Sequence, residues 1–221
     1  AYVARWARGV ETDSLQFKVE FVEHMLRLRN QPSVRQWMFA GSNDASIEPE
    51  IRNLLIEWVS REEVEGDQER LLELLRTSET YARWSAFELI VNRRGSDGLE
   101  LALTTLPNTG EYGFYRGEIQ ADGFRSVAEN VVCPITRLQE LGDNARMVFV
   151  RHIADANPYA QALSIECLKR FGDRQTIARL EELKTTLGRE PVAVPRFGEG
   201  TTVQSLADEA IAAITQRIGT P

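Results

Sequence analysis

Four side chains in this sequence could ligate a soft or borderline metal: His24, His152, Cys133 and Cys167. Structural zinc sites draw their ligands from closely spaced pairs, and no two of these residues form one, so packing or surface roles are expected and no metal site is assigned. Neither histidine falls in a Ser or Cys motif that would mark an activated nucleophile, so no catalytic residue is assigned. Both cysteines lie in apolar helical runs, where buried free thiols are expected over a disulfide. The glycines of "GREPVAVPRFGEGTT" (188–202) could approach a phosphate, but no strand precedes them and no lysine follows as a P-loop requires. That segment reads as a connector, with Arg196 and Phe197 as secondary interface candidates. No cofactor is expected.

The residues best suited to recognition lie in "PNTGEYGFYRGEIQADGFR" (107–125), which holds the aromatics Tyr112, Phe114, Tyr115 and Phe124. Loops of this length are uncommon unless functional, and Tyr, Phe and Arg are favoured at interface centres. Tyr112, Phe114, Tyr115 and Arg116 are therefore the primary partner-binding candidates. The bland alternative is a structural flap whose aromatics cover helix ends. Acidic runs such as "SREEVEGDQER" read as solvated loop or helix start.

What would position these residues is a series of helices. Asn157 can cap a helix that Pro158 begins, and Ala160, Leu163, Cys167, Leu168 and Phe171 recur along one face of it. Gly172 supplies a stop that tolerates a left-handed backbone, and Asp173 caps the next helix, whose stripe is Ile177, Leu180, Leu183 and Leu187. Two helices joined so tightly must pack antiparallel. Further helices follow from Leu15 to Leu26, from "QPSVRQWMFAG", from Ile51 to Val59, and from Leu71 to Leu75. A capping box of Ser126 and Glu129 is expected to open a run carrying Val127 to Leu141, kinked at Pro134, and Val203 to Ile218 form the final helix. No alternating strand stands outside the two loops.

At 221 residues and 43% hydrophobic, the chain can bury a substantial core without staples. Its net charge of −7 disfavours a simple electrostatic role on nucleic acid or anionic lipid. Lysine occurs only at positions 18, 169 and 184, so the cations are mostly arginine, suited to carboxylate pairing and stacking. No run is long and apolar enough to span a membrane. The expected setting is cytoplasmic, although a chain beginning at Ala1 is compatible with excision from a longer protein, trimming after export, or an upstream anchor.

Three segments share one ending: "YARWSAFELIVNRRGSD" (81–97), "ITRLQELGD" (135–143) and "YAQALSIECLKRFGD" (159–173) each close an apolar helix with a Gly and Asp joint. This pattern resembles the HEAT family and its short-repeat relatives, over roughly residues 66 to 218. The resemblance implies an all-α fold, an irregular α-solenoid of stacked antiparallel hairpins, with a closed helical bundle as the alternative. The chain is then a single helical-repeat domain: divergent helices over 13–61, hairpins over 66–106 and 126–218, and insertions at 107–125 and 188–202. It implies most often a non-enzymatic protein-binding or scaffolding module. The enzyme alternatives are DNA-processing proteins similar to the alkylpurine glycosylases, which a basic groove lined by Trp and Asp would favour, and cofactor or chromophore lyases, for which no diagnostic residue is present.

Overall fold

The computed structural model describes residues 27–44, 47, 49–60, 63–78, 81–108, 114–116, 119–121, 123–187, 194, 197 and 200–219. It is all-helical apart from one short hairpin. The chain divides into two compact units, Ala1–Leu74 and Leu75–Pro221, with the boundary near the start of the repeat-like region.

In the first unit, α1 (Pro32–Ser42) packs on α2 (Pro49–Ser60), and α3 (Asp67–Thr77) begins there. Met38, Phe39, Leu55, Trp58 and Val59 are buried together with Leu71 and Leu74. Arg35 and Asp67 are both fully buried and meet side by side, Nε donating to Oδ1 at 2.7 Å and Nη2 to Oδ2 at 2.5 Å. Arg35 Nη2 also donates to the Val59 carbonyl at 2.8 Å, and the Val64 N–H donates to Asp67 at 3.1 Å. One ion pair therefore ties α1, the end of α2 and the start of α3.

The second unit opens with α4 (Tyr81–Thr105), which turns sharply at Gly95 (φ 60°, ψ −130°). The hairpin β1 (Phe114–Arg116) and β2 (Ile119–Ala121) is antiparallel, with Tyr115 opposite Gln120. Then come α5 (Phe124–Val127), a π-helix (Ala128–Val132), α6 (Thr136–Leu141), α7 (Asp143–His152), α8 (Pro158–Phe171), α9 (Arg174–Thr186) and α10 (Val203–Ile218). Helix α8 lies centrally, packed on α7 and α10, while α4 packs on α6 and α7 and α9 on α10. Ten consecutive residues of α8, Tyr159 to Leu168, are buried, as a helix surrounded on several sides must be.

The Gly and Asp joints are real but not identical. Gly142 (φ 51°, ψ −113°) repeats the backbone of Gly95, a region in which L side chains are strained. Gly95 faces Leu141, and Arg146 of α7 reaches Asp143 and Asp173, so the three joints neighbour one another. Asp173 caps α9 as expected, accepting from the Thr176 N–H at 2.8 Å. Asn157 caps α8 by accepting from the Tyr159 N–H.

Gly172 is a correction. Its φ of −65° is ordinary, and no left-handed stop is made. Glycine is needed there for room: a Cβ would lie 2.4 Å from Ile214 Cδ1 and 2.7 Å from the Leu168 carbonyl oxygen. Gly172→Ala is accordingly expected to destabilise the second unit by about 1–3 kcal/mol through overpacking against α10. Urea unfolding measures this; an unchanged midpoint would contradict the close approach of α10.

Three other expectations change. Pro134 does not kink a continuous helix; the π-helix ends at Val132, the chain turns, and α6 restarts at Thr136. Ser126 lies inside α5, so the expected capping box does not form, and Gly123 precedes the helix without a side-chain cap. A capping box is present instead at α10, between Thr202 and Ser205. Finally, Cys133 and Cys167 are a disulfide, not free thiols. The turn after the π-helix aims Cys133 at α8 and brings the two Cα atoms to 5.0 Å, within bonding range.

Candidate functional site

Helix α7 has two apolar sides. Ala145, Val148 and Phe149 face the core, with Phe149 stacked on Phe171 at 5.8 Å, while Met147 and Val150 point elsewhere. Helix α9 has one: Leu180 and Leu183 are buried, while its largely polar side, Gln175, Thr176, Ala178 and Arg179, lines the space beside α7. Between the two helices run two adjoining open hollows of about 520 Å³ each, sharing Val150, Arg151 and Arg179. Ile153, Ala154, Leu183 and Thr186 line the far end. Met147, 48% exposed, is the one large apolar side chain left exposed among the described residues.

The rim is built from arginines held by carboxylates. Arg146 donates from Nε to Asp143 and pairs through Nη1 with Asp173 at 3.0 Å, while Arg179 Nη1 reaches Glu182 at 2.6 Å. Arg151 donates Nε to Glu100 Oε2 at 3.1 Å. Burial would raise the Glu100 carboxyl, but hydrogen bonds from Arg151 and His152 outweigh it and hold the group below the usual carboxylate range. The same balance, set by Thr176 and Arg146, lowers Asp173. Glu100 and Asp173 are thus charged at neutral pH and pair with their arginines.

His152 is committed to structure. Nδ1 lies 2.6 Å from Asp155 Oδ2 and Nε2 3.0 Å from Glu100 Oε1, so neither nitrogen is open to a metal or a substrate. His24 lies outside the described residues. No group of three or more metal-ligating side chains occurs among the described residues, and no helix there is long and apolar enough to cross a membrane.

Side chains of α5, α8 and α10 meet in a second charged cluster. Arg125 pairs with Glu129 at 3.1 Å and with Glu209; Lys169 pairs with Glu166 at 2.7 Å and Glu209 at 2.9 Å. Burial raises the Glu166 carboxyl above its ordinary range, and the nearby Glu129 charge adds to the rise against the lowering pull of Lys169 and Arg125. Its Oε2 has no hydrogen-bond partner and is buried. Because the carboxyl of Glu166 is raised in the folded chain relative to the unfolded one, its stability cost grows as pH rises from the ordinary carboxylate range through the folded pKa. Glu166→Gln is expected to stabilise the chain at about pH 7, with the gain vanishing near pH 4. Lys169 keeps Glu209 in that variant. Paired urea titrations at the two pH values check it; a loss of stability near neutrality would show that the Lys169 bond outweighs burial.

The sequence-derived interface residues fall in different places. Tyr112 and Arg196 lie outside the described residues. Phe114, Tyr115 and Arg116 form β1, which packs near α4. Phe197 is 1% exposed and belongs to the core, edge-on to Phe124 at 5.6 Å with the Arg125 guanidinium over its ring. A side chain so buried is not a partner contact, and Val194, of the same segment, is buried as well. Phe124 is likewise fully buried, against Trp84 and Tyr159. The α7/α9 groove was not among the expected sites. Its signal in the sequence is a second apolar stripe, Met147 and Val150 on α7 continued by Ala154 just past its end, at three- and four-residue steps off the core face.

Comparison with known proteins finds no matching family model, no matching curated protein and no matching solved structure.

Proposed function

We propose that this chain is a non-enzymatic protein-interaction module: an irregular HEAT-like α-solenoid that presents the α7/α9 groove, together with the 107–125 insertion, to a protein partner. The observation that carries this reading is Met147, half exposed on the α7 wall of a groove whose lining mixes aliphatic side chains with arginines and neutral polar groups. Exposed apolar surface rimmed by polar groups marks interaction sites, and Met and Arg are enriched in them. The neighbouring Gly and Asp joints and the side-by-side packing of α7, α8 and α10 support a stack of helices, which hold such a surface rigid. Among the described residues this lining includes neither Trp nor Asp, the combination that would favour a DNA-processing enzyme. Trp58 and Trp84 are spent on the core.

Affinity capture from the chain's own cells tests the proposal, comparing the unaltered chain with Met147→Glu and with the double variant Tyr115→Ala, Arg116→Ala. The expected outcome is a protein captured by the unaltered chain and lost with Met147→Glu, with weaker capture by the double variant. A partner retained unchanged by both variants would remove the proposal.

A further inference from the structure

Two cations serve three carboxylates where α5, the π-helix, α8 and α10 meet. Lys169 joins Glu166 to Glu209, and Arg125 joins Glu209 to Glu129, so one negative charge is unmatched when all five groups are ionised. The atom left over is Glu166 Oε2, shut from water and without a hydrogen-bond partner on a side chain 3% exposed. Other charged groups on the packed elements are engaged elsewhere. Arg170 donates to the Glu129 carbonyl, and Arg146 and Arg151 of α7 pair with Asp143, Asp173 and Glu100. His152 lies between Glu100 and Asp155, while Asp208 and Arg217 of α10 turn to Lys184 and the Gly172 carbonyl.

We infer that Glu166 is a proton-operated latch on residues 125–132: protonated, it lets α5 and the π-helix lie closed on α8, and ionised, it releases them. The inference goes beyond the partner reading and does not depend on it. A neutral carboxyl keeps the Lys169 bond at Oε1 and carries its proton on Oε2. An ionised one places charge on a buried oxygen with no donor, and Glu129 acts on it from the π-helix with the same sign. The segment that carries Glu129 is also poorly supported. The four-residue α5 and the five-residue π-helix have no side-chain cap, and the π-helix closes on a bond from the Cys133 N–H to the Ala128 carbonyl, a rare geometry that recurs at functional sites. Helix α10, the other neighbour, has 16 residues and a capping box. Two pins bound the motion: Phe124 among Trp84, Tyr159 and Phe197 at one end, and the Cys133–Cys167 bond at the other. Strand β2 packs on α5, so the hairpin borders the moving part.

Burial raises the Glu166 carboxyl in the closed chain, and hydration restores it in the open one. Closure is therefore firmest below the ordinary carboxylate range, weakens as pH rises from there, and levels off above the closed-state pKa. Glu209, Glu100 and Asp173 are held below that range, so above it they are ionised in both states.

Hydrogen exchange of the oxidised full chain, followed from about pH 4 upward and corrected for the intrinsic pH dependence of amide exchange, tests the latch. One proton separates the two states, so protection of the amides of 125–132 is expected to fall by up to about tenfold per pH unit and then level off. Those amides should also be less protected than the amides of α8. Glu166→Gln is expected to abolish the fall, and Glu129→Gln to end it at a lower pH. Protection of 125–132 that does not change with pH would overturn the inference, and so would a fall that survives Glu166→Gln. A fall shared at equal protection by α8 and α10 would show that Glu166 titrates only when the whole unit unfolds, which overturns the latch as well. The unaltered chain decides two of these outcomes even where a variant does not fold.

Discussion

Arg35→Met is expected to cost the first unit about 3–5 kcal/mol, because it leaves the Asp67 carboxylate buried without its counter-charge. The guanidinium serves more than the ion pair. It also binds the Val59 carbonyl, so its loss unties the end of α2 as well as the start of α3. Asp67 keeps the Val64 N–H, and the partly exposed Arg70 lies 3.7 Å away, at the limit of an ion pair. The double variant Arg35→Met, Asp67→Leu should recover much of the loss, since removing both charges also removes their desolvation cost. Urea unfolding, with hydrogen exchange of α1 and α3 amides to localise the effect, checks both statements. A single-variant cost below about 1 kcal/mol would contradict the claim that this pair organises the unit.

Loss of the Cys133–Cys167 disulfide, by Cys133→Ala with Cys167→Ala, is expected to lower stability by about 4 kcal/mol. That figure is the loop-closure entropy for a sequence separation of 34, imposed on the unfolded chain. Both sulfurs sit in the core, 1% and 0% exposed, where the bond fixes the end of the π-helix to the middle of α8. Comparing unfolding of the oxidised chain with and without a reductant isolates the term. Equal stability in the two conditions would contradict it. Disulfides persist in oxidising compartments and are reduced in the cytosol, so this bond argues against the cytoplasmic setting expected from sequence.

Helices were legible because their signals are local. Asn157 with Pro158, Asp173 after Gly172, and the apolar steps of α8 and α9 each specify an element within a few residues, and both helices form there. The antiparallel pairing expected of them does not form, because α9 packs on α10 rather than along α8. What failed depended on contacts distant in sequence. The disulfide was misread because Cys133 seemed to continue a helix, whereas the π-helix and the Pro134 turn redirect it toward α8. Gly172 was read as a backbone device when its role is set by Ile214, on another helix. Phe197 reads as an interface aromatic because it sits in polar, glycine-rich sequence; its burial depends on Phe124, around which α4, α5 and α8 converge. The groove shares this property, since Met147 has an exposed face only because α9 turns Ala178 and Arg179 toward it without filling the space.

The central claim is that the α7/α9 groove is where a partner sits, and photo-crosslinking tests it most directly. A benzophenone side chain at position 147 is irradiated in the chain's own cells, beside a control carrying it at the exposed position 88 on α4. The account predicts a defined protein adduct at position 147 and none at 88. No adduct at 147, or the same adducts at both positions, would contradict it.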